Sequence, residues 1–209
     1  MDRHILFICN KLDTINGQFI HKSMLYNIVK EFLPSNKSLK NTIRNLKNNN
    51  KIKYLFQDYF YILSSDEQIK KYYRYSPKEM VFVILNKLKI KWYLGLYSAL
   101  QIHNLRSQED LFHQVPKTTL IINSKFSRKI NILNEPIIFK KQKQISCGIN
   151  KSTTNNRITF YYSDLERTHI DYIFYFKKSN LNPKKLDLTK LKKHLKSFPV
   201  KIYNMVINE

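Results

Sequence analysis

Glycine is nearly absent from this chain of 209 residues, which has only Gly17, Gly95 and Gly148. Three isolated glycines cannot build the glycine-rich loop that cradles a nucleotide phosphate, because such a loop needs several at fixed spacing for its amides to converge. Cysteine is as scarce. Cys9 and Cys147 lie far apart with no Cys-x-x-Cys spacing, which argues against a zinc site and a disulfide framework and predicts inert thiols in an intracellular protein. No apolar run approaches the ~20 residues a membrane helix needs. The first residues do not read as a signal peptide either, since the apolar core from Ile5 to Cys9 is short and runs straight into Asn10 and Lys11. A cytoplasmic protein without a membrane partner is expected.

Acidic side chains are the remaining scarcity. Asp+Glu number 15 against 37 Lys+Arg, a formal net charge of +22. Such an excess calls for a polyanionic partner, nucleic acid before an acidic membrane surface. The length suits two small domains with a core in each.

The stretch over residues 34–63 organises the reading. Pro34 stops a preceding helix and Ser35 is placed to cap the next, predicted to run to about Asn48. Leu39, Ile43 and Leu46 recur at helical spacing and should face a core. The opposite face carries Asn36, Lys37, Lys40, Asn41, Arg44, Lys47 and Asn48, with no carboxylate among them. Arg pairs bidentately with guanine and Asn with adenine, while Lys neutralises phosphate, so this set can read duplex DNA. A solvated amphipathic helix would look similar in isolation.

The segment after the helix favours recognition. Asn48-Asn49-Asn50 is a turn signal, and residues 52–56 and 59–63 are β-branched and aromatic runs separated by Gln57-Asp58, a hairpin pattern. Two apolar-striped helices precede, over residues 2–12 and from a capping Ser23 to Phe32. Helix, helix, polar helix and hairpin is the order of a winged helix-turn-helix, with Lys51, Lys53 and Gln57 on the wing reaching phosphate or the minor groove. Residues 1–63 are therefore expected as a DNA-binding domain, 64–75 as a polar linker and 76–209 as a mixed α/β domain, an α+β protein overall. Tyr72, Tyr73 and Tyr75 in the linker could stack on bases or pack the linker down.

In the second domain Ser76-Pro77-Lys78-Glu79 opens a helix. A second helix is predicted over residues 92–103, where Gly95, Ser98 and Ala99 form a small-residue face for close backbone packing. Strands are expected over residues 118–123, 129–133, 137–141 and 158–163. Ser163 with Glu166 three residues on predicts a capped helix, residues 188–196 a basic helix, and residues 200–207 a strand. Asp164, Glu166 and Asp171 could in principle hold Mg²⁺ for a nuclease. On a helix, however, Glu166 and Asp171 are about 500° apart and Arg167 can pair with Asp171. Ser98, the cysteines, His103, His113 and His169 show no nucleophile–base spacing. No catalytic residue, metal or cofactor is assigned.

Three motifs in order resemble the AbiEi family of abortive-infection antitoxins. They are residues 93–100 with His103-Asn104-Leu105, then Gln114-Val115-Pro116 before a strand, then Ser163-Asp164-Leu165-Glu166-Arg167-Thr168 with Asp171. The chain departs from the family at Asn104, commonly Gly, and at Leu165, commonly Pro. The resemblance implies an N-terminal winged helix and a C-terminal antitoxin domain in which Gly95, Ser98, Ala99, Glu166, Arg167, Thr168 and Asp171 form the structural motif. It also implies a repressor of its own operon that binds its own promoter and neutralises a nucleotidyltransferase-like toxin, without a stable toxin complex and without enzymatic activity. The residues leave open a stand-alone winged-helix transcription factor with a ligand- or protein-binding second domain, and a metal-dependent nuclease.

Overall fold

Helices α1 (Arg3–Asp13), α2 (Lys22–Phe32) and α3 (Leu39–Asn48) each bury an apolar stripe in one shared core. Ile8 and Leu12 come from α1, Leu25, Ile28 and Val29 from α2, and Ile43 and Leu46 from α3. Ile20 of β1 (Phe19–His21), Ile52 of β2 (Ile52–Tyr54) and Phe60 and Ile62 of β3 (Tyr59–Ile62) close the core from the other side. The strands form an antiparallel sheet in the order β1-β3-β2. The β2–β3 turn works because Gln57 and Asp58 both take left-handed backbone angles, at φ 53° and 58°, matching the right-handed twist of the flanking strands.

These are elements of a computed structural model that describes residues 3–34, 38–105, 118–143, 145–179, 181 and 183–207. The chain divides into two compact units, Met1–Ser76 and Pro77–Glu209. Some expected helix starts move. Ser35, the expected cap of α3, lies outside the described residues, and Ser38 holds the N-cap position of a helix that begins at Leu39. The N-cap of α2 is His21, whose Nδ1 accepts from the Ser23 amide, rather than Ser23 itself.

Residues 64–75, expected as a linker, fold back onto the first unit. Ser64 and Glu67 make a capping box on α4 (Ser65–Lys70). Glu67 is buried and accepts from the Tyr61 hydroxyl at 2.6 Å and the Arg74 amide at 2.7 Å. Burial pushes its carboxyl up, but these donors and those of Ser64 together bring it below the ordinary value. Tyr75 then packs against Phe19 and Tyr61, at 5.3 and 5.8 Å between ring centroids.

The second unit is built on a six-stranded mixed sheet, in the order β6-β7-β5-β4-β9-β8. Its strands are β4 (Trp92–Leu94), β5 (Thr119–Asn123), β6 (Arg128–Ile132), β7 (Glu135–Lys141), β8 (Ile149–Thr153) and β9 (Thr159–Ser163). Helix α5 (Pro77–Lys87) precedes β4 and α6 (Tyr97–Ile102) comes after it. Beyond β9 lie α7 (Leu165–Phe176), α8 (Leu188–Leu195) and α9 (Val200–Ile207), whose Ile170, Ile173, Leu191, Leu195, Ile202 and Val206 share a second apolar cluster.

Three expectations are corrected here. Residues 92–94 are a central strand and not the first turn of a helix, β8 has no counterpart among the expected strands, and residues 200–207 are a helix and not a strand. In the last case Ile202 and Val206, four apart, are both buried, and packing on α7 overrides the strand propensity of a Val/Ile-rich segment. Among the described residues no helix is long and apolar enough to cross a membrane.

Candidate nucleic-acid interface

The outward face of α3 is set by the stripe that anchors it. With Thr42, Ile43 and Leu46 buried, the 100° step per residue leaves Lys40, Asn41, Arg44, Lys47 and Asn48 exposed together. Thr42 adds a tie at the helix start, its hydroxyl donating to the Ser38 carbonyl at 3.2 Å. Arg44 and Asn41 are joined on the surface, Arg44 Nη2 donating to Asn41 Oδ1 at 2.7 Å. That bond holds the guanidinium and the amide side by side, the two groups best suited to purine edges.

Lys47 lies toward the hairpin, its Nζ 5.4 Å from the centroid of Tyr54 and 5.3 Å from that of Phe60. Tyr54 and Phe60 are themselves in edge contact at 5.3 Å. The helix C-terminal turn thus meets the Tyr54–Phe60 face of the hairpin, while the exposed Lys53, across from Tyr61 in the register, projects from the other face of β2. The chain has no carboxylate between Glu31 and Asp58, so nothing on α3 or β2 neutralises these cations. Asp58, at the hairpin turn, pairs with Lys22 at 3.8 Å.

Lys51 does not belong to this surface. Its sequence position places it on the wing, yet it is buried, with its Nζ in an ion pair with the Asp13 carboxylate. Its backbone also joins α3 to β3, donating to the Leu46 carbonyl and accepting from the Leu63 amide. A buried, paired ammonium has no route to a phosphate, so Lys51 fastens the base of the hairpin to α1 instead. Asn36 and Lys37 lie outside the described residues.

In comparisons with known proteins, no family model matches the chain, and no curated protein matches it. The interface therefore rests on its own residues. The same holds for the motif residues of the second unit, which are buried.

Arg167 and Asp171, one helical turn apart on α7, form an ion pair at 3.0 Å with both side chains wholly buried. Tyr93 of β4 closes the group, its hydroxyl 2.8 Å from Asp171 Oδ2 and accepting from Arg167 Nη2 at 2.8 Å. Burial, reinforced by Asp171, drives the Tyr93 hydroxyl well above the ordinary phenol range. Burial also opposes the Arg167 charge, but the Asp171 carboxylate outweighs it and holds the guanidinium protonated.

Gly95, Ser98 and Ala99 do not line one helix face as expected. Gly95 directly follows β4, where an added Cβ would sit 2.5 Å from Ile122 Cδ1. Ser98 is buried on α6 and accepts from the Leu120 amide at 2.8 Å, and Ala99 is buried beside it. Ser163 does not cap α7. It ends β9 and bonds Thr168 Oγ1 at 2.7 Å, while Asp164 is the N-cap, accepting from the Arg167 amide at 2.8 Å.

Glu166 accordingly leaves the expected capping box and accepts from the Asp187 amide at 2.8 Å, at the head of α8. Asp164 Oδ2 also meets His194 Nε2 at 2.9 Å. Asp164, Glu166 and Asp171, the carboxylates with the spacing to suggest Mg²⁺, are thus each engaged with protein groups: the Arg167 amide and His194, the Asp187 amide, and the Arg167 guanidinium and Tyr93. Among the described residues no cluster of His, Cys, Asp or Glu is arranged to hold a metal ion.

Proposed function

We propose that the first unit is a winged helix that binds duplex DNA, and that the protein represses its own promoter and is the antitoxin of a nucleotidyltransferase-like toxin. One observation carries the DNA reading: Lys40, Asn41, Arg44 and Lys47 stand exposed on one face of α3 with no carboxylate among them, and Lys47 reaches the Tyr54 and Phe60 rings of the hairpin. The order α1-β1-α2-α3-β2-β3, with β1 closing onto the hairpin, supports a recognition helix with a wing after it. A helix presenting Arg and Asn to base edges and Lys to phosphates combines sequence readout with charge neutralisation.

The antitoxin part rests on the resemblance to AbiEi antitoxins. What supports it is that Tyr93, Gly95, Ser98, Arg167, Thr168 and Asp171, from the first and third motifs, are buried in one unit; Gln114-Val115-Pro116 of the second motif lies outside the described residues. In this reading the protein works in the cytoplasm by binding and not by catalysis, and opposes its toxin without a stable complex.

The test is a binding titration on the protein's own upstream DNA against scrambled DNA at two salt concentrations. Preference that survives the higher salt is the expected result. Equal, salt-sensitive binding to both would sink the reading, since the +22 net charge alone gives non-specific affinity.

Two substitutions refine it. Arg44→Ala should lose about 1–3 kcal/mol of discrimination between operator and random DNA. Lys53→Ala should weaken both DNAs alike and reduce the slope of log affinity against log salt by about one. Equal losses on both DNAs for Arg44→Ala would move that residue from base to phosphate. The antitoxin part is tested by co-expressing the protein with the product of any adjacent nucleotidyltransferase-like gene, where growth rescue is expected. Rescue that persists when the second unit is disrupted by Asp171→Ala would contradict it.

A further inference from the structure

The second unit contains a cleft of about 610 Å³ between the end of α5, the start of β4, the edge strand β8 and its neighbour β9. Its walls are mixed in a specific way. Ile90, Ile145 and Ile149 give apolar surface, and Trp92 and Tyr161 add rings held edge to face, 5.5 Å apart. Lys89, Lys91 and Lys151 line it as well. All three are exposed, and no described carboxylate lines the cleft.

The cations are fixed by backbone and not only by flexible stems. Lys89 sits in a left-handed turn at φ 52° just after α5, and Lys151 lies directly across from Tyr161 in the β8–β9 register. Trp92 is a rigid wall. Phe82 stacks on it at 4.9 Å, and Asn86 Oδ1 accepts its indole N–H at 3.0 Å. Asn86 Nδ2 also donates to the Thr159 carbonyl at 2.8 Å, tying α5 to β9 beneath the cleft.

An apolar, partly aromatic lining that also carries three exposed lysines suits a flat ring joined to a multiply charged anion. The volume falls within the usual range for small-molecule sites. A phosphate monoester carries close to two charges at neutral pH and three strong acceptors, which three lysines can meet. We propose that this cleft binds a nucleoside monophosphate, its base against Ile145, Ile149 and Tyr161 and its phosphate among Lys89, Lys91 and Lys151. The site lies wholly within the second unit and stands or falls separately from the DNA reading.

Trp92 is the chain's sole tryptophan, so its fluorescence reports occupancy of the cleft directly. The full-length protein is titrated with purine and pyrimidine nucleoside monophosphates, with the free nucleosides, with inorganic phosphate and with a short single-stranded oligonucleotide. The expected result is a saturable change with a nucleoside monophosphate at micromolar to millimolar concentration, weaker by at least about tenfold for the nucleoside or phosphate alone.

Lys91→Glu with Lys151→Glu should weaken the monophosphate by at least about tenfold, with the urea midpoint unchanged. Ile149→Trp, read by calorimetry because it adds a second fluorophore, should block binding while keeping every lysine. No saturable change with any monophosphate would overturn the proposal. So would equal binding by the charge-reversed variant, or binding of the oligonucleotide without the mononucleotide.

Discussion

Asp171→Ala should destabilise the second unit by about 3–5 kcal/mol, the range found when one partner is removed from a buried ion pair. Both side chains of the pair are wholly buried, so the loss removes the carboxylate that outweighs the cost of burying the Arg167 charge. The Tyr93 hydroxyl at 2.8 Å, the Cys147 carbonyl at 3.2 Å and the rings of Tyr93 and Phe198, which Arg167 also meets, are neutral. None of these supplies a negative charge. The measurement is urea unfolding monitored at Trp92, which lies on β4 next to Tyr93 and reports on this unit.

The matching control is Arg167→Met with Asp171→Leu, which removes both charges and keeps apolar volume. It should lose less than Asp171→Ala, because replacing a buried pair avoids stranding either ion. A single mutant with a wild-type midpoint would mean that water or a rearranged side chain reaches Arg167. A double mutant worse than the single would mean that the geometry of the Tyr93 bonds, not the unpaired charge, dominates.

The features legible in the sequence are local ones. Leu39, Ile43 and Leu46 announce α3 because their spacing is set by the helix itself, and Gln57-Asp58 announces the hairpin because only a tight turn suits polar residues between two aromatic runs. The same locality explains the failures. Trp92–Leu94 reads as helix because Gly95, Ser98 and Ala99 have helical spacing, whereas a strand of three residues is too short to show alternation.

Lys51 and Lys53 are indistinguishable as sequence. The difference is Asp13, brought to Lys51 from 38 residues away. Tyr93 meets Arg167 across 74 residues, and no spacing rule connects them. The α3 face is legible because one helix carries it. The cleft around Trp92 is not, since α5, β4, β8 and β9 meet there only after the sheet forms.

Gly148→Ala should cost about 2–5 kcal/mol, by adding the penalty of a left-handed L-residue to that of an overfilled site. Gly148 has φ +65°, and a Cβ there would fall 2.6 Å from Arg167 Cβ, 2.9 Å from Asp164 Oδ1 and 2.9 Å from His194 Nε2. None of the three can retreat freely. Arg167 is held by Asp171 and Tyr93, and Asp164 caps α7 while bonding His194 at 2.9 Å. The added methyl must therefore move the head of α7 or break the Asp164–His194 contact. Gly17→Ala separates the two penalties. Gly17 has φ +71°, but a Cβ there would come no nearer than 4.0 Å to Arg74 Nη1, so that variant should show the backbone cost alone, about 1–2 kcal/mol. Unfolding of the first unit is monitored by circular dichroism and that of the second at Trp92. If the two substitutions cost the same, the crowding around Gly148 is relieved by small shifts, and the junction of Asp164, Arg167 and His194 is softer than its hydrogen bonds imply.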